Sequence, residues 1–213
     1  MSTIVVPCRD EPGIPTFLHR LHEVMLAVPG HYEVLVMMGD RETLYPEVPD
    51  HPNQRVIKTY GDTLERSILT GFSTAQWNKI LCIDADDYHP VGKIPEMIKL
   101  LDTYEMVAGS RYIPGGELNM SWFRGLVSRC FVLYAHLLGS RLSDPMTGFF
   151  AVRKEIIDKV VFKPFTWKTC LEIDMKAKPR LTEIPIVPKS RTAGVSKSSI
   201  KVGLKIMRDI VCG

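Results

Sequence analysis

The sequence predicts a single α/β domain built on a mainly parallel sheet, and three observations predict it. Short β-rich apolar runs alternate with longer stretches whose apolar residues recur at helical spacing. Polar clusters stand at the carboxyl ends of the apolar runs, where an open α/β sheet binds its ligands. The chain has 213 residues, 45% hydrophobic and 24% charged, and no repeat or linker divides it. That is enough to bury one core, and it excludes disordered and low-complexity readings.

Taken in order, residues 3–6 (TIVV) form a buried strand that stops at Pro7. A helix follows, with Ile14, Phe17, Leu18, Leu21, Val24, Met25 and Val28 on one stripe, and ends near Pro29 and Gly30. Residues 32–38 and 55–59 are the second and third strands, and Leu64, Ile68, Phe72 and Ala75 mark the next helix. Residues 79–83 form a strand that runs into Asp84, Ala85, Asp86 and Asp87. Val91, Ile94, Met97, Ile98 and Leu101 give another helix, and residues 105–108 another strand. Such alternation is the pattern of βαβ units. The second half is less regular. Residues 121–139 read as an unusually apolar helix carrying Arg124 and Arg129, and a turn at 144–148 leads to an extended piece at 149–153. A helix about 168–178, a strand at 181–187 and a terminal amphipathic helix at 198–213 complete the reading, which assigns the domain to residues 1–197.

Composition excludes several classes. Lys plus Arg number 27 against 24 Asp plus Glu, a net charge of +3, too balanced for a protein that binds the nucleic-acid backbone. No apolar run approaches the ~18 residues of a spanning helix, and the amino terminus has no secretory pattern. Five cysteines without Cys-x-x-Cys spacing argue against a disulfide framework or a zinc site and fit a reducing compartment. The expected location is cytoplasmic, peripheral on the cytosolic face of a membrane.

The most informative polar cluster is acidic. Asp84, Asp86 and Asp87 put three carboxylates within four residues. They repel one another unless a cation or hydrogen-bond donors compensate. Alternation sets Asp84 and Asp86 on one side of an extended segment, and Mg²⁺ or Mn²⁺ takes such oxygen ligands together with substrate phosphates. The bland reading is a helix N-cap, with Pro90 just inside the helix start; it explains one aspartate but not three. Phosphatases of the haloacid-dehalogenase type also place Asp-x-Asp after an apolar strand. Theirs is the first strand, with Thr or Val where this chain has Tyr88. Sugar-nucleotide pyrophosphorylases need a Gly-rich loop near the amino terminus, which IVVPCRDEPG is not.

Five segments, in order from Ile4 to about Lys197, resemble the inverting family 2 glycosyltransferases of GT-A fold, closest to dolichyl-phosphate mannosyltransferases and related polyprenyl-phosphate sugar synthases. They are IVVPCRDEPGI, KILCIDADDYHPVGKIPEMI, MVAGSRYIPGG, WFRGLVSRCFVLYAHLLGSRLSDPMTGFFAVRKEII and LTEIPIVPKSRTAGVSK. The resemblance implies a GT-A fold, a nucleotide-sugar donor and Mn²⁺ or Mg²⁺. It implies that Pro7, Arg9 and Glu11 border the nucleotide and that Asp84, Ala85 and Asp86 form the donor triplet. Asp84 would lie toward ribose and metal, Asp86 would be the main metal ligand, and Arg191 would close over the diphosphate. Arg111, Arg124 and Ser128 would hold the phosphate of a lipid acceptor; Arg124 and Ser128 share a helix face. Asp144 has three open readings: a brace for its turn, a wall of the acceptor pocket, or a general base if the acceptor is a hydroxyl. Arg111 has the alternative of pairing with a surface carboxylate, and Arg129 that of snorkelling from a buried helix. His89 is expected beside the metal loop.

The departures concern the base-binding and metal-binding positions. Met37 and Met38 stand where the family usually carries paired aspartates, and Asp40 is the candidate substitute. Tyr88 replaces a Gln or Ser, a metal-site contact that is then either lost or taken by Asp87. The expected activity is transfer of a hexose from GDP-mannose, or by a smaller margin UDP-glucose, to polyprenyl phosphate. A glycan hydroxyl as acceptor and a non-catalytic nucleotide-sugar-binding subunit are the alternatives. A membrane-surface contact, through residues 122–138 and the terminal basic helix, or a membrane-anchored partner would bring a lipid acceptor within reach.

Overall fold

The computed structural model describes residues 1–9, 11–39, 48–59, 63–118, 122–162 and 168–189, without the side chains of Phe123 and Arg124. Asp40, Arg191 and the expected terminal helix at 198–213 lie outside the described residues. Seven strands, β1 (Ser2–Cys8), β2 (Tyr32–Gly39), β3 (Gln54–Thr59), β4 (Lys79–Cys82), β5 (Met106–Ser110), β6 (Phe150–Arg153) and β7 (Leu181–Pro185), form one sheet. Their order is β3-β2-β1-β4-β6-β5-β7. All neighbouring pairs are parallel except those of β6, which runs against both β4 and β5. The helices are α1 (Ile14–Met25), α2 (Leu64–Thr74), α3 (Ile94–Leu100), α4 (Trp122–Leu137), the single turn α5 (Lys154–Ile157) and α6 (Thr169–Ala177).

Strand alternation divides the core between two faces. Ile4, Val6, Val34, Val36, Leu81 and Ile83 pack against Phe17, Leu18 and Leu21 of α1 and Ile94 and Met97 of α3. Val5, Leu35, Met37, Ile80, Cys82 and Phe150 meet Ile68 and Phe72 of α2 and Ile173 of α6. Strands buried on both faces read as continuous apolar runs, which is why 3–6, 32–38 and 79–83 were legible.

Three expectations change. β1 continues through Pro7 to Cys8. Val5 O still accepts from Ile83 N on the β4 side. Pro7, two residues on, faces that same side beyond the end of β4, where its missing N–H breaks no ladder. Second, the buried helix that was the alternative for Arg129 is not what forms. Phe131 and Ala135 are buried against Leu171, whereas Trp122 (81%), Leu133 (63%) and Leu137 (77%) are exposed. Arg129 is exposed with them, so it has no buried helix to snorkel from. Third, α5 was not foreseen; four residues are too few for a periodic signal.

α6 is fastened by Asp174, which is wholly buried and accepts from Ser140 Oγ (2.9 Å), Arg141 N (2.7 Å) and the Arg141 guanidinium (2.7 and 3.1 Å). Arg141 is half exposed and can rehydrate when its partner is removed. Asp174→Ala is therefore expected to cost about 2–3 kcal/mol, seen as a lower urea midpoint with unchanged slope. An unchanged midpoint would mean that this hub contributes nothing.

Candidate active site

The strand ends of β1, β4 and β5, together with the beginning of the antiparallel β6, meet at one edge of the sheet. After β4, Ala85 turns into the core while Asp84 and Asp86 stay partly exposed on either side of it. Asp86 Oδ1 accepts from Tyr88 N at 3.1 Å, an Asx turn that folds the loop back on itself. Asp87 takes the left-handed conformation (φ 56°) that Asp tolerates better than most residues. Its Oδ2 lies 2.5 Å from Arg20 Nη2 on α1 and 3.8 Å from Lys189 Nζ. Asp87 is thus drawn toward cations on the flank. The short 3₁₀ turn at Val91–Lys93 is capped by Pro90 with no side-chain bond, so none of the three aspartates serves as its N-cap. His89 is buried, stacks on Phe149 with ring centres 5.3 Å apart, and holds Nε2 3.6 Å from Asp84 Oδ2.

Facing this loop is Arg111, just past β5. Its Nε and Nη2 donate to Asp144 Oδ2 and Oδ1 at 2.7 and 2.9 Å, and its backbone N lies 3.3 Å from Oδ2. Nη1 lies 3.5 Å from the Tyr88 hydroxyl. Burial disfavours the guanidinium charge, but Asp144, with Tyr88 adding to it, outweighs burial and holds the arginine more firmly protonated than usual. Asp144 is fully buried, and its loop is fixed in turn by Glu183 of β7, whose carboxylate accepts from Ser143 N (3.0 and 3.1 Å) and Asp144 N (3.3 Å). The Asp144 side chain thus clasps Arg111, a partner that none of the three readings named. Arg111 therefore pairs with an interior carboxylate, not a surface one.

Beside Arg111, the Tyr112 hydroxyl donates to Ser128 Oγ on α4 at 2.6 Å, which brings Ser128 to the same edge. Arg124 stands one turn earlier on α4. Lys168, at the start of α6, donates from Nζ to Met146 O at 2.9 Å. Burial pushes its ammonium below the ordinary value, against the pull of Asp84 and Asp144. At the β1 end, Pro7 and Arg9 lead to Glu11, whose carbonyl starts α1 by accepting from Ile14 N at 3.1 Å. Met37 and Met38 are both buried, one in each face of the core. Met37 and Met38 thus serve the packing of the core.

Tyr112, Lys168 and Glu183 escaped the sequence reading. Glu183 had a visible signal, a carboxylate inside the apolar run of β7; Lys168 and Tyr112 had none. Gly148 belongs with them. A Cβ there would stand 2.8 Å from Asp84 Oδ2. Because that oxygen ends a movable side chain, Gly148→Ala is expected to displace Asp84 while the fold persists. The rate should fall by about 10²-fold with little change in melting temperature. Retained activity would show that Asp84 can work from a second rotamer.

Among the described residues no group of three His, Cys, Asp or Glu side chains is placed to hold a metal by itself. Two partly exposed carboxylates of hard oxygen are nevertheless the donor set with which Mg²⁺ or Mn²⁺ is held when substrate phosphates complete the coordination. The residues present fit such an ion.

The sheet order, the single antiparallel strand and an acidic loop facing a braced arginine define a glycosyltransferase of GT-A architecture. Residues 3–161 match the Glycosyl transferase family 2, and the chain belongs to that family. It is 26% identical to the dolichol-phosphate mannosyltransferase of Pyrococcus furiosus over 221 aligned residues, covering 99% of this chain and 62% of that protein. Identity to the polyprenol monophosphomannose synthase of Mycolicibacterium smegmatis is 31%, covering 93% of this chain and 81% of that one. The chain thus spans about three fifths of the archaeal relative, and likewise 62% of the dolichol-phosphate mannosyltransferase of Saccharomyces cerevisiae. In fold, it resembles glucosyl-3-phosphoglycerate synthase from Mycobacterium tuberculosis solved with uridine diphosphate. The TM-score is 0.72 at 11% identity, over 100% of this chain and 79% of that one.

Proposed function

We propose that this chain transfers a hexose from a nucleotide-diphosphate sugar to a polyprenyl phosphate, with inversion at the anomeric carbon. The observation that carries the reading is the engagement of Asp144. Both of its oxygens accept from Arg111 in the interior, so it is poorly placed to take a proton from a hydroxyl. An acceptor that arrives as an anion needs no base. A phosphate monoester does so near neutral pH, and arginine is well suited to hold it. The names of the relatives in Pyrococcus furiosus and Mycolicibacterium smegmatis support the same acceptor class.

In this mechanism Arg111, with Ser128 and Arg124, orients the acceptor phosphate. One phosphate oxygen forms a bond to the anomeric carbon while the bond from that carbon to the diphosphate breaks, its electron pair leaving with the nucleotide. Asp84 and Asp86 would hold Mg²⁺ or Mn²⁺, whose chemistry is to neutralise charge on the diphosphate. Arg9 and Glu11 would border the nucleotide, and Asp40 and Arg191 would complete its contacts. GDP-mannose is the leading donor. The exposed apolar residues of α4, on the helix that carries Ser128, suit an approach to a membrane surface. No helix among the described residues is long and apolar enough to cross one.

The test is transfer of labelled sugar from GDP-mannose and from UDP-glucose into organic-extractable lipid, with Mn²⁺, a short polyprenyl phosphate and an Asp86→Asn control. Metal-dependent label in the lipid phase that vanishes in the control supports the proposal and names the donor. A folded protein that binds nucleotide and labels no lipid would remove this acceptor and leave the glycan-hydroxyl and non-catalytic readings.

A further inference from the structure

We infer that Lys168 is a phosphate-binding residue of this site, the cation that a substrate phosphate meets beside Arg111. The inference rests on the transfer reaction proposed above and deepens it. Its ground is charge balance. Arg111 is bidentate to buried Asp144, so the pair is neutral as a whole. Asp84 and Asp86 add negative charge on the facing loop. A phosphate entering this setting meets carboxylates on both flanks, and only a cation outside the Arg111–Asp144 pair makes the acceptor side attractive to it.

Lys168 meets that requirement, in addition to the Arg124 proposed above on α4. Among the described residues its one hydrogen bond goes to a neutral acceptor, Met146 O at 2.9 Å, using one of the three donor positions of an ammonium. It makes no ion pair there, although Asp84, Asp144 and Arg111 are all within electrostatic reach. The carbonyl it grips belongs to the turn between Asp144 and Gly148, the turn that lies against Asp84, so the ammonium is tied to the site's own wall. It stands at the N-cap of α6, where the helix dipole favours anions. The next side chain, Thr169, is buried with its hydroxyl lacking a partner among the described residues.

The experiment measures binding of a short polyprenyl phosphate and of GDP with Mn²⁺ to the wild type, Lys168→Met and Lys168→Arg, alongside transfer kinetics. Loss of a charged hydrogen bond should weaken one ligand by roughly ten- to a hundredfold, with partial recovery in Lys168→Arg. A loss confined to the polyprenyl phosphate assigns Lys168 to the acceptor, and a loss confined to GDP assigns it to the donor diphosphate. Unchanged affinity for both in folded Lys168→Met overturns the inference. Should that variant not fold, acetylation of Lys168 in the wild type, read by mass spectrometry, decides. Protection by either ligand supports the assignment, and protection by neither overturns it. A wild type that binds no polyprenyl phosphate defeats the proposed acceptor instead, while the GDP arm still tests Lys168.

Discussion

Asp144→Ala is expected to lower the unfolding free energy by about 3–5 kcal/mol, the range for breaking a buried ion pair by removing one partner. The side chains of Asp144 and Arg111 are 1% and 12% exposed, so water cannot replace the lost bonds in place. Two further consequences deepen the loss. The Arg111 backbone N–H loses an acceptor, and Arg111 and Lys168 become neighbouring cations left with Asp84 as the carboxylate acting on Lys168. Urea denaturation of the single variant beside Arg111→Met/Asp144→Leu separates the effects. The double variant should recover most of the stability, because no buried charge is orphaned, yet show no transfer. Asp144→Asn, which keeps one acceptor oxygen, should fold and lose about 10²-fold in rate through a displaced Arg111. A single alanine variant within 1 kcal/mol of wild type would mean that the pair is not the anchor of this edge.

Asp86→Asn should abolish transfer while leaving the melting temperature within a degree or two. The expectation follows from the division of labour between its two oxygens. One accepts from Tyr88 N, and an asparagine carbonyl makes the same bond, so the turn survives. What disappears is the negative charge, and with it the attraction for a divalent ion brought by a nucleotide diphosphate. Calorimetry of GDP with and without Mn²⁺ should show that the metal-dependent gain in affinity is lost and the metal-independent part retained. Equal metal dependence in variant and wild type would move the ion away from Asp86.

Much of this architecture was visible in the residues. The continuous apolar runs of β1, β2 and β4 and the period of α1 and α2 gave element types because burial on two faces or on one stripe leaves a direct imprint on composition. The acidic loop was legible for the opposite reason: three like charges together demand an explanation. What was not legible depends on distance in the chain. That Asp144 clasps Arg111, that Glu183 clasps the backbone before Asp144, and that Gly148 leaves room for Asp84 are all juxtapositions made by the sheet. Nothing local in the turn at 144–148 distinguishes a brace from a base. Which residues of α4 are buried was not legible because its apolar content is spread around the helix, and composition alone does not say which residues find a neighbour.

The antiparallel course of β6 has a consequence for how the molecule is made. Because β6 enters between β4 and β5, the groups gathered at this edge come from residues 84–88, 111–112, 144–148, 168 and 183, spread across a hundred positions. Contacts of such separation close late, after the local βα units have formed. During synthesis the amino-terminal half can settle into strands and helices while Arg111 still waits for its carboxylate, and that carboxylate waits for Glu183. Completion of the Arg111–Asp144–Glu183 clasp therefore waits until β7 has docked. A nascent chain released before that point would lack the carboxylate that fixes the backbone of Ser143 and Asp144.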